Sequence, residues 1–142
     1  SLIFKPHPYT GSISSNHKYW LSKILKLCED HGVEVLAEND SLHYAMNSSD
    51  ILVCDISSVL NEYLVTGKPI ILCNTQSLDF EQMHSEYPSA AAASLVNVER
   101  NIVDVIQIIE REDPLQASRQ KVRVSSLGDQ TDDPLSMFKS LL

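Results

Sequence analysis

Residues 49–71 read SDILVCDISSVLNEYLVTGKPII, and their order of apolar and polar positions decides the fold class. Ile51 to Cys54 is an apolar run of strand length. It delivers the chain to Asp55-Ile56-Ser57-Ser58, where small polar residues open a helix. That helix is expected from about Ser57 to Thr66, with Gly67 as its cap residue and Pro69 opening a strand from Pro69 to Cys73. Strand–helix–strand alternation with strands apolar throughout implies parallel strands covered on both faces by helices.

The alternation extends outward on both sides. Upstream, Leu2 to Phe4 is a short strand closed by Lys5-Pro6-His7-Pro8, two prolines that end it. A helix is expected over about Ser15 to His31, through Trp20, Leu21, Ile24, Leu25, Leu27 and Cys28, with Gly32 as its stop. Val33 to Leu36 is then a second strand and Leu42 to Met46 a short helix. Downstream, residues 74–88 (NTQSLDFEQMHSEYP) have no steady period and are expected to form a loop of functional size. Ser94 to Val98 is a fifth strand, and Asn101 to Arg111 a helix periodic in Ile102, Val105, Ile106 and Ile109. Beyond Pro114, helical segments are expected at about 115–126 and 134–141, separated by the polar GDQTDD.

The expected architecture is an α/β, three-layer Rossmann-like domain spanning residues 1–142, with 113–142 as a C-terminal helical extension. Its parallel sheet has about five strands in the order 2-1-3-4-5, with helices on both faces. That order puts a switch point between strands one and three, where ligands bind beyond the strand C-terminal ends. His7 and Asp55-Ile56-Ser57-Ser58 fall at those two ends.

Composition narrows the function class. The chain has 142 residues, and 11 basic against 19 acidic side chains leave a formal charge of −8. A duplex-DNA or polybasic membrane footprint needs the opposite sign, so nucleic acid is not an expected partner. No apolar run approaches a membrane-spanning length, and no signal peptide is legible near the start. Cys28, Cys54 and Cys73 form no CxxC pair, and Cys54 and Cys73 sit in apolar runs, so they are expected as buried thiols in a reducing, cytoplasmic setting. The five histidines make no HExxH or other ligand set, and no metal is expected.

Several residues carry chemistry. A helix that begins at Ser57-Ser58 offers unpaired backbone N–H groups and a partial positive charge, which favour phosphate, and the hydroxyls add donors. Serine or aspartate in that place is equally an ordinary helix cap, so Asp55 and Ser57 have two readings. His7 could donate to a phosphate oxygen or act as acid or base, and Lys5 could supply a phosphate charge or be a solvated strand-end lysine. Glu62, one helical turn after Ser58, is either a ribose contact or an exposed helical glutamate. His43 and His84 lie in or near connections and could face the cleft, whereas His17 and His31 look like helix-surface residues.

DILVCDISSVLNEYLVTGKPIIL, preceded by a strand ending in KPHP, resembles the nucleotide-binding C-terminal half of CDP-glycerol glycerophosphotransferases, teichoic-acid-polymerase-like enzymes of GT-B architecture. His7-Pro8, Asp55-Ile56-Ser57-Ser58, Glu62 and Gly67-Lys68-Pro69 carry the likeness, over about residues 2–75. Ile56 stands where that family often has tyrosine. The resemblance implies a donor-binding domain for moving glycerol phosphate, or a sugar, from a nucleotide-activated and CDP-linked donor to a hydroxyl acceptor in cell-envelope polymer synthesis. It implies that Ser57 and Ser58 hold the donor diphosphate and that Glu62 contacts the ribose. His7 would then bind phosphate or stabilise the leaving group as the catalytic residue. No separate cofactor is implied.

Implied partners are the nucleotide-diphosphate donor, a lipid-linked or polyol-phosphate acceptor, and an N-terminal domain of the same enzyme. The full-length protein would work at the cytoplasmic membrane face, and a fragment of this size is not expected to be active alone. A homo-oligomer is compatible with an exposed sheet edge. The alternatives are a non-catalytic nucleotide- or phosphate-binding module and a UDP-sugar glycosyltransferase- or epimerase-like domain.

Overall fold

A computed structural model describes residues 1–7, 14–37, 39–76, 78–97 and 100–128. The chain divides into two compact units, Ser1–Ser49 and Asp50–Leu142.

The first unit contains β1 (Ile3–Phe4), α1 (Ser15–Asp30), β2 (Glu34–Val35) and α2 (Leu42–Ser48). Ser14 begins α1 by accepting a hydrogen bond from the His17 amide, and Gly32, at φ 63°, turns the chain out of it. That left-handed conformation suits glycine, so the sequence stop and the structural stop coincide. β1 and β2 pair in parallel, Ile3 with Glu34 and Phe4 with Val35. Among the described residues of this unit, Cys28, Leu36 and Met46 are the buried apolar ones, from α1, the residue after β2 and α2. The apolar spacing in α1 is only partly converted into burial. Cys28 is buried, while Trp20 and Leu27 remain 58% and 57% exposed.

The second unit runs β3 (Leu52–Cys54), α3 (Ser58–Tyr63), a 3-10 turn (Leu64–Thr66), β4 (Ile70–Cys73), α4 (Phe80–Glu86), a second 3-10 segment (Pro88–Ala92), β5 (Ser94–Val96), α5 (Ile102–Glu112) and α6 (Gln116–Leu127). Its sheet has the order β3-β4-β5, all parallel, with Leu52 opposite Ile70 and Ile71 opposite Ser94. β4 is central, so Ile70, Ile71 and Leu72 are all buried. Ile71 and Val96 pack with Val105 and Ile109 of α5, and Ile102 and Ile106 complete that apolar stripe. Asn101 caps α5 through a hydrogen bond from the Val103 amide.

The α/β class and the five parallel strands agree with the sequence reading. The strands form two parallel sheets, β1-β2 and β3-β4-β5, and the neighbours within each sheet are those of the expected order. Burial on both faces holds for β4 but not throughout, since Val53 in β3 is 42% exposed and both β2 residues are exposed. The loop expected over 74–88 is a difference. α4 occupies Phe80–Glu86, entered through a capping box in which Asp79 accepts from the Gln82 amide and the Gln82 side chain accepts from the Asp79 amide. Two orphan donors are satisfied there at once, which supports a helix whose apolar period is too short to see. The expected helix at 134–141, Pro8 and Val98 lie outside the described residues.

Candidate functional site

The β3–α3 turn supplies the first wall of the site. Ser57 holds extended backbone (φ −153°, ψ 168°) at the N-cap of α3, yet its hydroxyl makes no capping hydrogen bond. The side chain instead lines a cleft of about 220 Å³ with Ile56, Leu60 and Asn61. Leu72 of β4 forms part of the same lining, so the cleft opens at the C-terminal end of the sheet. This is where parallel α/β sheets bind ligands.

The opposite wall comes from the end of α4 and the segment after it: Glu86, Tyr87, Pro88, Ser89 and Ala90. Pro88 starts the 3-10 segment, and Ala90, Ala92 and Ala93 are buried. These small side chains allow α6 to pack on the segment, where the Ser118 hydroxyl donates to the Ala91 carbonyl over 2.8 Å. Upstream, the Asn74 side chain both donates to the Leu78 carbonyl and accepts from its amide, which bridges β4 toward α4. Across the cleft, the Ser89 hydroxyl donates to Asn61 Oδ1. The two walls are thereby tied by a polar contact.

Of the residues singled out in the sequence, Ser57 lines the cleft, whereas Asp55, Ser58 and Glu62 are exposed on the same turn and helix and do not line it. His84 lies in α4 and is half-buried outside the cleft lining. Lys5 and His7 belong to the first unit, where Lys5 Nζ donates to the Ala37 carbonyl over 2.6 Å. This contact ties the end of β1 to the exit from β2. His7 is exposed, as are His17, His31 and His43.

Asn61 and Ser89 were not legible as site residues. Asn61 is an ordinary helical residue in sequence, and Ser89 lies just past the 74–88 stretch expected as a loop. A signal was available in Asp79-x-x-Gln82, which announces α4 and so sets Pro88, Ser89 and Ala90 just past a helix end.

Cys54 and Cys73, at the ends of neighbouring strands, are half-buried free thiols. Burial, then the Asp55 carboxylate and the Cys73 thiol, push the Cys54 thiol up to about 12. Burial, with Asp55, also raises Cys73. Neither is a thiolate at neutral pH, so neither is poised as a nucleophile. Among the described residues there is no cluster of three or more metal-ligating side chains.

A family model described as CDP-glycerol:poly(glycerophosphate) glycerophosphotransferase matches residues 1–135. The chain belongs to this glycerophosphotransferase family. No curated protein and no solved structure matches it. The match reaches well beyond the half of the chain that carried the resemblance in sequence and takes in the segments that build both walls of the cleft. In this glycerophosphotransferase-family chain, Gly67-Lys68-Pro69 has a structural explanation. Gly67 adopts φ +68° to end the 3-10 turn, its carbonyl accepts from Arg119 Nε over 2.8 Å, and the Pro69 carbonyl accepts from the Leu52 amide to begin the β3–β4 ladder. Among the described residues no helix is long and apolar enough to cross a membrane.

Proposed function

We propose that this chain binds the nucleotide-activated donor of a glycerophosphotransferase, in cell-envelope polymer synthesis, with glycerol phosphate passing to a hydroxyl acceptor. The observation that carries the reading is the coincidence of the family match with a cleft at the C-terminal end of the β3-β4-β5 sheet, where Ser57 leaves its hydroxyl uncommitted to a cap. In this reading Ser57 and Ser58 hold the donor diphosphate through hydroxyls and nearby amides. Asp55 shapes the turn that presents them, and Glu62 accepts hydrogen bonds from the ribose. His7 and Lys5 serve the phosphates, with the imidazole stabilising the leaving group. Such transfer depends mainly on positioning and on stabilising charge, for which hydroxyls, amides and an imidazole suffice on the donor side.

The test is calorimetry of CDP, UDP, CMP and CDP-glycerol against the chain and against Ser57→Ala/Ser58→Ala. Cytidine diphosphates should bind best, and the double substitution should weaken them by about 1–3 kcal/mol, the scale for hydrogen bonds to charged groups. Equal binding by the parent and the double variant removes the serines from the site. Failure of every nucleotide to bind removes the donor reading itself.

A further inference from the structure

We infer that the cleft receives the glycerol end of the donor's transferred glycerol phosphate, a small neutral polyol, and that Asn61 and Ser89 read its hydroxyls; this rests on the donor-binding reading. Three observations carry it.

The first is size. At about 220 Å³ the cleft is smaller than the ~300–1,000 Å³ typical of pockets that enclose a drug-sized ligand, so it suits one arm of a nucleotide-activated donor rather than the whole.

The second is charge. Among the described residues no lysine, arginine or histidine lines the cleft, and Glu86 contributes a carboxylate. A phosphate inside would meet repulsion with no counter-charge, whereas a polyol would find an acceptor. Ser57, at the head of α3, is then the lip where the phosphate stops and the neutral arm begins.

The third is the Asn61–Ser89 contact. Asn61 Oδ1 is occupied by the Ser89 hydroxyl, which directs the amide Nδ2 toward other acceptors and leaves the Ser89 oxygen able to accept. A donor and an acceptor fixed side by side match a hydroxyl, which accepts and donates at one atom. Glu62, the neighbour of Asn61 in sequence, does not line the cleft. Asn61, assigned to the glycerol, thus lines the cleft, while Glu62, assigned to the ribose, lies outside it.

The experiment compares CDP with CDP-glycerol by calorimetry on the chain, Asn61→Ala and Ser89→Ala. Each variant should weaken CDP-glycerol about three- to tenfold, the scale of one or two lost hydrogen bonds, and leave CDP unchanged. Retained CDP binding also shows that the variant is folded, and Ser89→Ala removes a single oxygen. Equal weakening of both ligands would put the nucleoside in the cleft and overturn the proposal. Unchanged binding of both would remove Asn61 and Ser89 from recognition and overturn it as well. If the parent chain binds neither ligand, the donor reading has failed, an outcome distinct from either of these.

Discussion

Arg119 shows how much one residue can hold at the residue scale. Its side chain is 3% exposed, and it donates to the Gly67 carbonyl and, through both terminal nitrogens, to the Asp113 carboxylate. The guanidinium therefore fastens α6 both to the turn that precedes β4 and to the residue that ends α5. Removing one partner of a buried pair leaves the other uncompensated, at a cost of about 3–5 kcal/mol. Arg119→Met should lower unfolding free energy by about 3 kcal/mol in urea titration, and a change below about 0.5 kcal/mol would show that the contact is only a surface one.

Cys54 makes a second residue-scale prediction. Its thiol titrates near 12 in the folded chain, above its ordinary value. The unfolded chain therefore releases this proton first. Stability from this thiol is fully present below the ordinary thiol range of about 8.5 and is lost as pH rises from there through about 12. At pH 8, alkylation of Cys54, followed by mass spectrometry, should be markedly slower in the native chain than in urea. Equal rates would contradict the burial assigned to it.

At the scale of the element, the informative case is α4. Seven residues, Phe80–Glu86, are too few for a helix to be stable by propensity in water, so its ends and its packing must hold it. The Asp79–Gln82 capping box satisfies the start, and Met83, fully buried, anchors the middle. Asp79→Ala should destabilise the chain by about 1 kcal/mol, as loss of an N-cap does. Because α4 sets the position of Glu86 and the residues after it, the same variant should also weaken CDP-glycerol more than CDP. Thermal melts and calorimetry with the two ligands check both parts. Asn61→Ala, in contrast, should affect binding without a comparable loss of stability, since Asn61 is exposed.

On the scale of the whole molecule, burial is unevenly divided. Among the described residues the first unit buries Cys28, Leu36 and Met46, while the second buries Ile70, Ile71 and Leu72 of β4 together with Tyr63, Leu64, Met83 and Val105. Amides in regions with few buried apolar contacts open at lower free energy. Hydrogen exchange should therefore be slowest in β4 and β5 and distinctly faster in β1 and β2. Matching protection in both units would mean that the first is covered by contacts beyond its own core.

Local order alone made one part of the molecule legible in sequence. β3, the turn at Asp55–Ser58, α3 with the 3-10 turn that follows it, Gly67 and β4 succeed one another with an apolar period and a glycine stop, and each lies within a residue or two of its expected bounds. α5 was equally plain, because its four apolar positions repeat over two turns and all meet one sheet. Burial and the far wall of the cleft were not legible. Which apolar residues of α1 are covered depends on what packs there, and Trp20 and Leu27 have the same spacing as Cys28 without its burial. Asn61 faces Ser89 because α4 and the turn after it carry the chain back beside α3, a proximity between residues 28 positions apart. Periodicity records which side of an element is apolar; only long-range packing decides which polar side chains finally stand across from one another.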